Sequence, residues 1–169
     1  ISEYEKHLIK LEDEGKTAIL VSFDKKIIGI IAIADTLKDS SKDAIKELKR
    51  LGKDVIMITG DNERTGKAIG KLVGIEKILA NVLPHEKAIE VKKLQAQGKV
   101  VAFVGDGIND APALAQSDLG IAIGSGTDVA LESGSIVLVK SDLKDVVKAM
   151  KLSKYTLKKI KQNLFWAFI

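Results

Sequence analysis

No cysteine occurs in these 169 residues. That excludes thiol nucleophiles, thiolate metal sites and a disulfide framework from the segment, and it fits a reducing compartment. Aromatic residues are scarce, at 4%, and no nucleic-acid motif accompanies the basic residues, so no nucleic-acid partner is expected. The opening ISEYEKHLIK lacks the apolar core of a signal peptide. The two histidines, His7 and His85, have no metal-like spacing. The wholly apolar ending LFWAFI has six residues, against roughly 20 for a bilayer span. There is no internal repeat and no low-complexity segment.

What is present suits one compact domain, or one domain with fragments of its neighbours: 46% hydrophobic residues and 30% charged. A core of this size holds without cross-links. The net charge of +4 is concentrated, with eight lysines between Lys140 and Lys161 opposed only by Asp142 and Asp145.

The pattern along the chain changes once. A helix is expected over residues 3–14, closed by Gly15. KTAILVSFDKKIIGIIAIAD then gives two β-rich runs about the polar turn Asp24-Lys25-Lys26. After Asp35, strands and helices alternate. Helices are expected at 41–51, 62–73, 84–97 and 127–132, with short strands at 54–58, 78–82, 99–104, 119–123 and 136–139. That alternation indicates a Rossmann-like α/β fold, a parallel sheet covered on both faces. From Asp142 one long helix is expected, because Leu143, Val146, Val147, Met150, Leu157, Ile160 and Leu164 keep helical spacing. Lysines followed by an apolar, Trp-containing end match a helix entering a membrane from the cytoplasmic side. An amphipathic docking helix fits the same pattern.

Ligands of open parallel sheets gather at the carboxyl ends of the strands. Two loops meet that condition, MITGDN (57–62) and FVGDGIND (103–110), each an apolar strand followed by acid and glycine. Asp106 could face a hard cation such as Mg²⁺. Thr59 offers a hydroxyl to a phosphoryl oxygen. Lys87 falls near a helix start, where the dipole gives a cation nothing, so facing an anion makes more sense of it. Each has a plainer reading. Gly-Asp-Gly is often a turn, Thr59 could cap the next helix, Lys87 could be solvated, and Asp35 could be loop.

Taken together, TGDN at residues 59–62, HEKAIEVKKLQ around Lys87, and GDGINDAPALAQSDLGIAIGSGTDVALESG at residues 105–134 resemble the phosphorylation domain of a P-type ATPase, of the haloacid dehalogenase superfamily. KIKQNLFWAFI resembles the heavy-metal branch, most of all the copper transporters. The resemblance covers nearly the whole chain. It implies ATP and Mg²⁺ as cofactors. Asp106 would be a Mg²⁺ ligand and Asp110 would hold the cation site from behind it. Asn109 and Thr59 would contact the phosphoryl group, Gly60 and Asp61 would face the nucleotide or the Mg²⁺ waters, and Lys87 would neutralise the transferring phosphate. Asp35 would be the hinge. Residues 1–34 would end the nucleotide-binding domain, 35–141 form the phosphorylation domain, and 142–169 lead into a truncated transmembrane segment. The whole would be the cytoplasmic part of an integral membrane protein that transports a metal ion, with copper as the implied cargo.

The departures matter as much. The family's phosphate acceptor is the aspartate of Asp-Lys-Thr-Gly-Thr, and no aspartate here is followed by Lys-Thr-Gly. The His-Pro dipeptide and Cys-Pro-Cys motif of the heavy-metal branch are absent too. The resemblance thus implies a piece that does not form an aspartyl phosphate alone. Its partners would be the acceptor strand, the rest of the nucleotide domain, and a transmembrane domain. The acceptor strand would lie between the strands ending at Thr59 and Gly105, so both are expected to carry unpaired inner edges. A soluble phosphatase of the same superfamily and a non-catalytic regulatory module stay open as alternatives.

Overall fold

The computed structural model describes residues 2–34, 36–106, 109–124 and 135–169. The chain opens with helix α1 (Ser2–Asp13) and an antiparallel hairpin, β1 (Thr17–Phe23) with β2 (Lys26–Ile33). Its turn is only Asp24 and Lys25, both at positive φ, 47° and 60°. Two such residues give a twist that suits a two-residue hairpin. Lys26, expected in the turn, already pairs with Phe23.

The alternating region follows as α2 (Asp39–Arg50), β3 (Ile56–Ile58), α3 (Glu63–Val73), β4 (Lys77–Leu79), α4 (Pro84–Ala96), β5 (Ala102–Gly105), α5 (Ala111–Gln116), β6 (Leu119–Ile123), β7 (Ile136–Leu138) and α6 (Leu143–Phe168). Local chemistry sets the helix ends. The Asn62 side chain accepts from the Thr65 N–H at the start of α3, and Gly74 at φ 82° stops that helix. Pro84 opens α4, where its missing N–H costs nothing. The helix expected at 127–132 and Asp35, expected to be a hinge, lie outside the described residues.

The parallel strands do not form one sheet. β3 pairs with β4, while β5, β6 and β7 form a separate three-stranded sheet. Among the described residues no ladder joins β3 to β5, so each has one unpaired edge, as the lack of an acceptor strand implies. The two pieces still share a core. Ile58 of β3 packs on the cluster of Val91, Phe103, Ala113, Leu114 and Ala122 beneath β5 and β6. At the other end of the strands, Asp54 lies 3.6 Å from both Lys77 and Lys99. A second cluster, Ile45, Val73 and Ile75 with Leu143, joins α2 and α3 to the start of α6.

α6 has two regimes. Its first turns bury Val146 and Val147 against α2. A polar seam runs alongside: Lys38 Nζ donates to the Ser141 carbonyl and, at 2.6 Å, to its hydroxyl; Lys144 lies 3.6 Å from Asp43; Lys151 lies 2.5 Å from Glu47. From Lys151 onward every residue is exposed, Trp166 at 75%. No helix among the described residues is long and apolar enough to cross a membrane.

Hydrogen bonds from Arg50 and then Lys151 pull the Glu47 carboxyl down to about 2. A carboxylate depressed in the folded state contributes stability above its unfolded value near 4.5 and loses it as pH falls toward 2. The urea midpoint should therefore fall more steeply between pH 5 and 2.5 in the native chain than in Glu47→Gln. Solvent screening keeps the difference small. Parallel midpoint curves for the two would refute this role for Glu47.

Candidate functional site

The loop after β3 is held by backbone alone before any side chain acts. The Thr59 N–H donates to the Leu79 carbonyl at 2.9 Å, and its own carbonyl accepts from Val82 at 3.0 Å. The Asp61 carbonyl accepts from Asn81 at 2.8 Å, with Asn81 at φ 56°. The loops at the ends of β3 and β4 are thereby locked together, and α4 leaves directly from the second. Its N-terminus is fixed by Glu86, whose carboxylate accepts from the Leu83 N–H at 2.9 Å.

Within the first loop the Thr59 hydroxyl donates to Asp61 Oδ2 at 2.8 Å and accepts from the Asp61 N–H at 3.1 Å. Thr59 therefore does not cap α3. That role falls to Asn62, the residue immediately before the helix, whose side chain reaches the Thr65 N–H. The methyl of Thr59 faces Gly66 on α3, where an added Cβ would stand 3.3 Å away.

The second loop places Asp110 at the start of α5. Lys87 reaches it from the first turn of α4 with Nζ 2.6 Å from Oδ1. Both side chains are largely buried, 17% and 13% exposed. The plain reading of Lys87 as a solvated lysine is thus set aside. Gly105 is glycine for a reason its neighbours do not disclose. A Cβ there would sit 2.5 Å from Asp110 Oδ2 and 2.7 Å from its Cβ. The β5 terminus lies directly under the Asp110 side chain, and only a hydrogen fits between them.

Asp106 and Asn109 are exposed on this loop, while residues 107–108 between them are outside the described set. The structure thus brings together Lys87, Asp110 and Gly105, and separately Thr59, Gly60 and Asp61. Among the described residues no hydrogen bond joins the Thr59 loop to Lys87 or Asp110 directly; the link runs through residues 79–83 and α4. A third set was not apparent in the sequence. Thr17 Oγ1 donates to Asp61 Oδ1 at 3.1 Å, and Glu12 accepts from Asn62 Nδ2 at 2.9 Å. Nothing in residues 12–17 signals this, because each contact spans more than 40 positions.

The donor chemistry can be weighed against a cation. Among the described residues no three His, Cys, Asp or Glu side chains cluster as metal ligands, so an all-protein cage is not built there. Mg²⁺ needs none, since it takes one or two carboxylates and fills its octahedron with water and phosphate oxygens. Asp106 and Asp110, all-oxygen and borne on one loop, fit that demand.

The sequence matches the haloacid dehalogenase-like hydrolase family over residues 2–118. It is 61% identical over 168 residues to a probable copper-exporting P-type ATPase of Archaeoglobus fulgidus, covering 99% of this chain and 21% of that protein. A copper-exporting P-type ATPase of Bacillus subtilis is 56% identical over 158 residues, 94% of this chain and 20% of that one. Among solved structures, a zinc-transporting PIB-type ATPase in an E2.Pi state superposes with a TM-score of 0.78 at 41% identity, over 96% of this chain and 26% of that one. This chain spans about a fifth of the length of the curated relatives it matches. It belongs to the haloacid dehalogenase-like hydrolase family.

Proposed function

We propose that this chain supplies the Mg²⁺ and phosphate site of an ATP-driven, copper-exporting P-type ATPase, acting in formation and hydrolysis of its aspartyl phosphate. The observation that carries the reading is the buried pair of Lys87 and Asp110, seated on Gly105 at the end of β5. Two charges held with this little exposure need mutual neutralisation. A phosphoryl group arriving here would meet an ammonium already positioned.

In this reading Asp106 binds the cation and Asp110 steadies both it and Lys87. Thr59 and Asn109 hydrogen-bond phosphoryl oxygens, and Gly60 and Asp61 face the nucleotide side. Bound Mg²⁺ supplies charge neutralisation on the phosphate oxygens, while the protein's share is positioning. Asp35 serves as hinge between residues 1–34, the end of a nucleotide-binding domain, and 35–141, the phosphorylation domain. Residues 142–169 lead toward a membrane, which makes the segment the cytoplasmic part of a membrane protein. Copper as cargo rests on the names of the relatives and on the NLFWAF ending.

The acceptor aspartate must come from elsewhere, and the unpaired edges of β3 and β5 support its arrival on a strand between them. The test is to mix the chain with a peptide carrying that strand and an Asp-Lys-Thr-Gly-Thr sequence, then add ATP and Mg²⁺. Acid-stable, hydroxylamine-labile phosphate should form only with the peptide present. Phosphatase turnover by the bare chain would replace this reading with that of a soluble phosphatase.

A further inference from the structure

The segment before the hinge lies across the first phosphate-facing loop. Four hydrogen bonds tie residues 12–17 to residues 61–65. Thr17 Oγ1 donates to Asp61 Oδ1 at 3.1 Å, and Glu12 Oε1 accepts from Asn62 Nδ2 at 2.9 Å. Glu12 Oε2 also takes Arg64 Nη1 at 3.5 Å, and the Thr65 hydroxyl donates to the Lys16 carbonyl at 3.1 Å. Thr65 is 1% exposed, so that last bond is the partner its buried hydroxyl requires. A Cβ added at Gly15 would stand 3.6 Å from Ile69 and 3.8 Å from Ala68 of α3.

The consequence falls on Asp61, whose two oxygens take one hydroxyl each, from Thr59 and from Thr17. A partly buried carboxylate holds its donors tightly. If Thr59 is to turn its hydroxyl toward a phosphoryl oxygen, Asp61 must give that donor up. Thr17 is the donor that stays. We propose that Thr17 is a positioning residue for the TGDN loop, holding the Asp61 carboxylate in place so that Thr59 can turn to a phosphoryl oxygen while residues 12–17 lie against α3. The functional half of this inference rests on the phosphoryl reading above; the structural half does not.

The full 169-residue chain suffices for the test. Thr17→Val keeps shape and strand preference and removes only the hydroxyl, while Thr17→Ser restores it. In Thr17→Val the Asp61 amide, which donates to Thr59, should exchange about tenfold faster than in the native chain, with the global melting temperature unchanged. Thr17→Ser should return the native rate. Inorganic phosphate with Mg²⁺ should shift the Thr59 and Lys87 resonances in the native and Ser forms, and about tenfold more weakly in the Val form. Native exchange at Asp61 in Thr17→Val overturns the positioning role whatever phosphate does. Faster exchange with no phosphate response in any form upholds the latch and overturns the phosphoryl reading.

Discussion

Gly105→Ala is expected to unfold the chain about 4–8 °C below the native melting temperature, a loss of about 2 kcal/mol. Two effects oppose each other. Alanine in a strand gains roughly 0.5–1 kcal/mol over glycine through backbone entropy. Against that, the new methyl would stand 2.5 Å from Asp110 Oδ2, 2.7 Å from its Cβ and 2.9 Å from its Cγ. The carboxylate tip could swing away, but the Cβ cannot move without shifting the start of α5. Overpacking therefore wins, and relief must come by prising α5 from β5. The same movement separates Asp110 from Lys87. Calorimetry gives the stability, and the Lys87 side-chain resonance reports the lost contact. An alanine variant that melts at or above the native temperature would refute the close approach.

Asp110→Ala is expected to cost about 2–3 kcal/mol, less than the figure for a fully buried pair because Lys87 and Asp110 keep 17% and 13% of their exposure. Most of that loss is the ammonium left without a counter-charge, rather than the value of the pair itself. Lys87→Met should cost a similar amount by stranding the carboxylate. The double variant should then be about 1–2 kcal/mol more stable than the sum of the singles, because neither charge remains to be stranded. Additive losses across this cycle, measured by urea unfolding, would show that the two groups do not act as a unit. If the phosphoryl reading holds, Lys87→Met also abolishes peptide-dependent phosphorylation, while Asp110→Asn only weakens it.

The order of elements was readable from periodicity because helix and strand alternate with clear stops. Gly15 and Gly74 sit just past α1 and α3 at positive φ, and Pro84 begins α4. Strand lengths were not readable. The five-residue runs 54–58 and 78–82 yielded β3 and β4 of three residues each. A ladder needs a neighbour, and β3 has one on a single side only. Of the site, residue types announced themselves and pairings did not. Lys87 and Asp110 each read as functional, yet nothing placed one on the other across 23 positions. Gly105 read as part of a turn, whereas its purpose is room for a side chain five residues on. The plainer reading of Thr59 as a cap fails because Asn62, one step from the helix, fills that place. Glu12 and Thr17 carried no local sign at all, since their partners lie 50 and 44 positions further along the chain.

α6 is 26 residues long, about 39 Å, and among the described residues only its first two or three turns are anchored. The remainder acts as a lever arm of about 27 Å. Its fulcrum is the stretch of α2 beside Val146 and Val147, pinned by Glu47 and Lys151. A tilt of about 10° there would sweep the Trp166 end through about 5 Å. Small adjustments of α2, the first helix beyond Asp35, are thus magnified at the far tip.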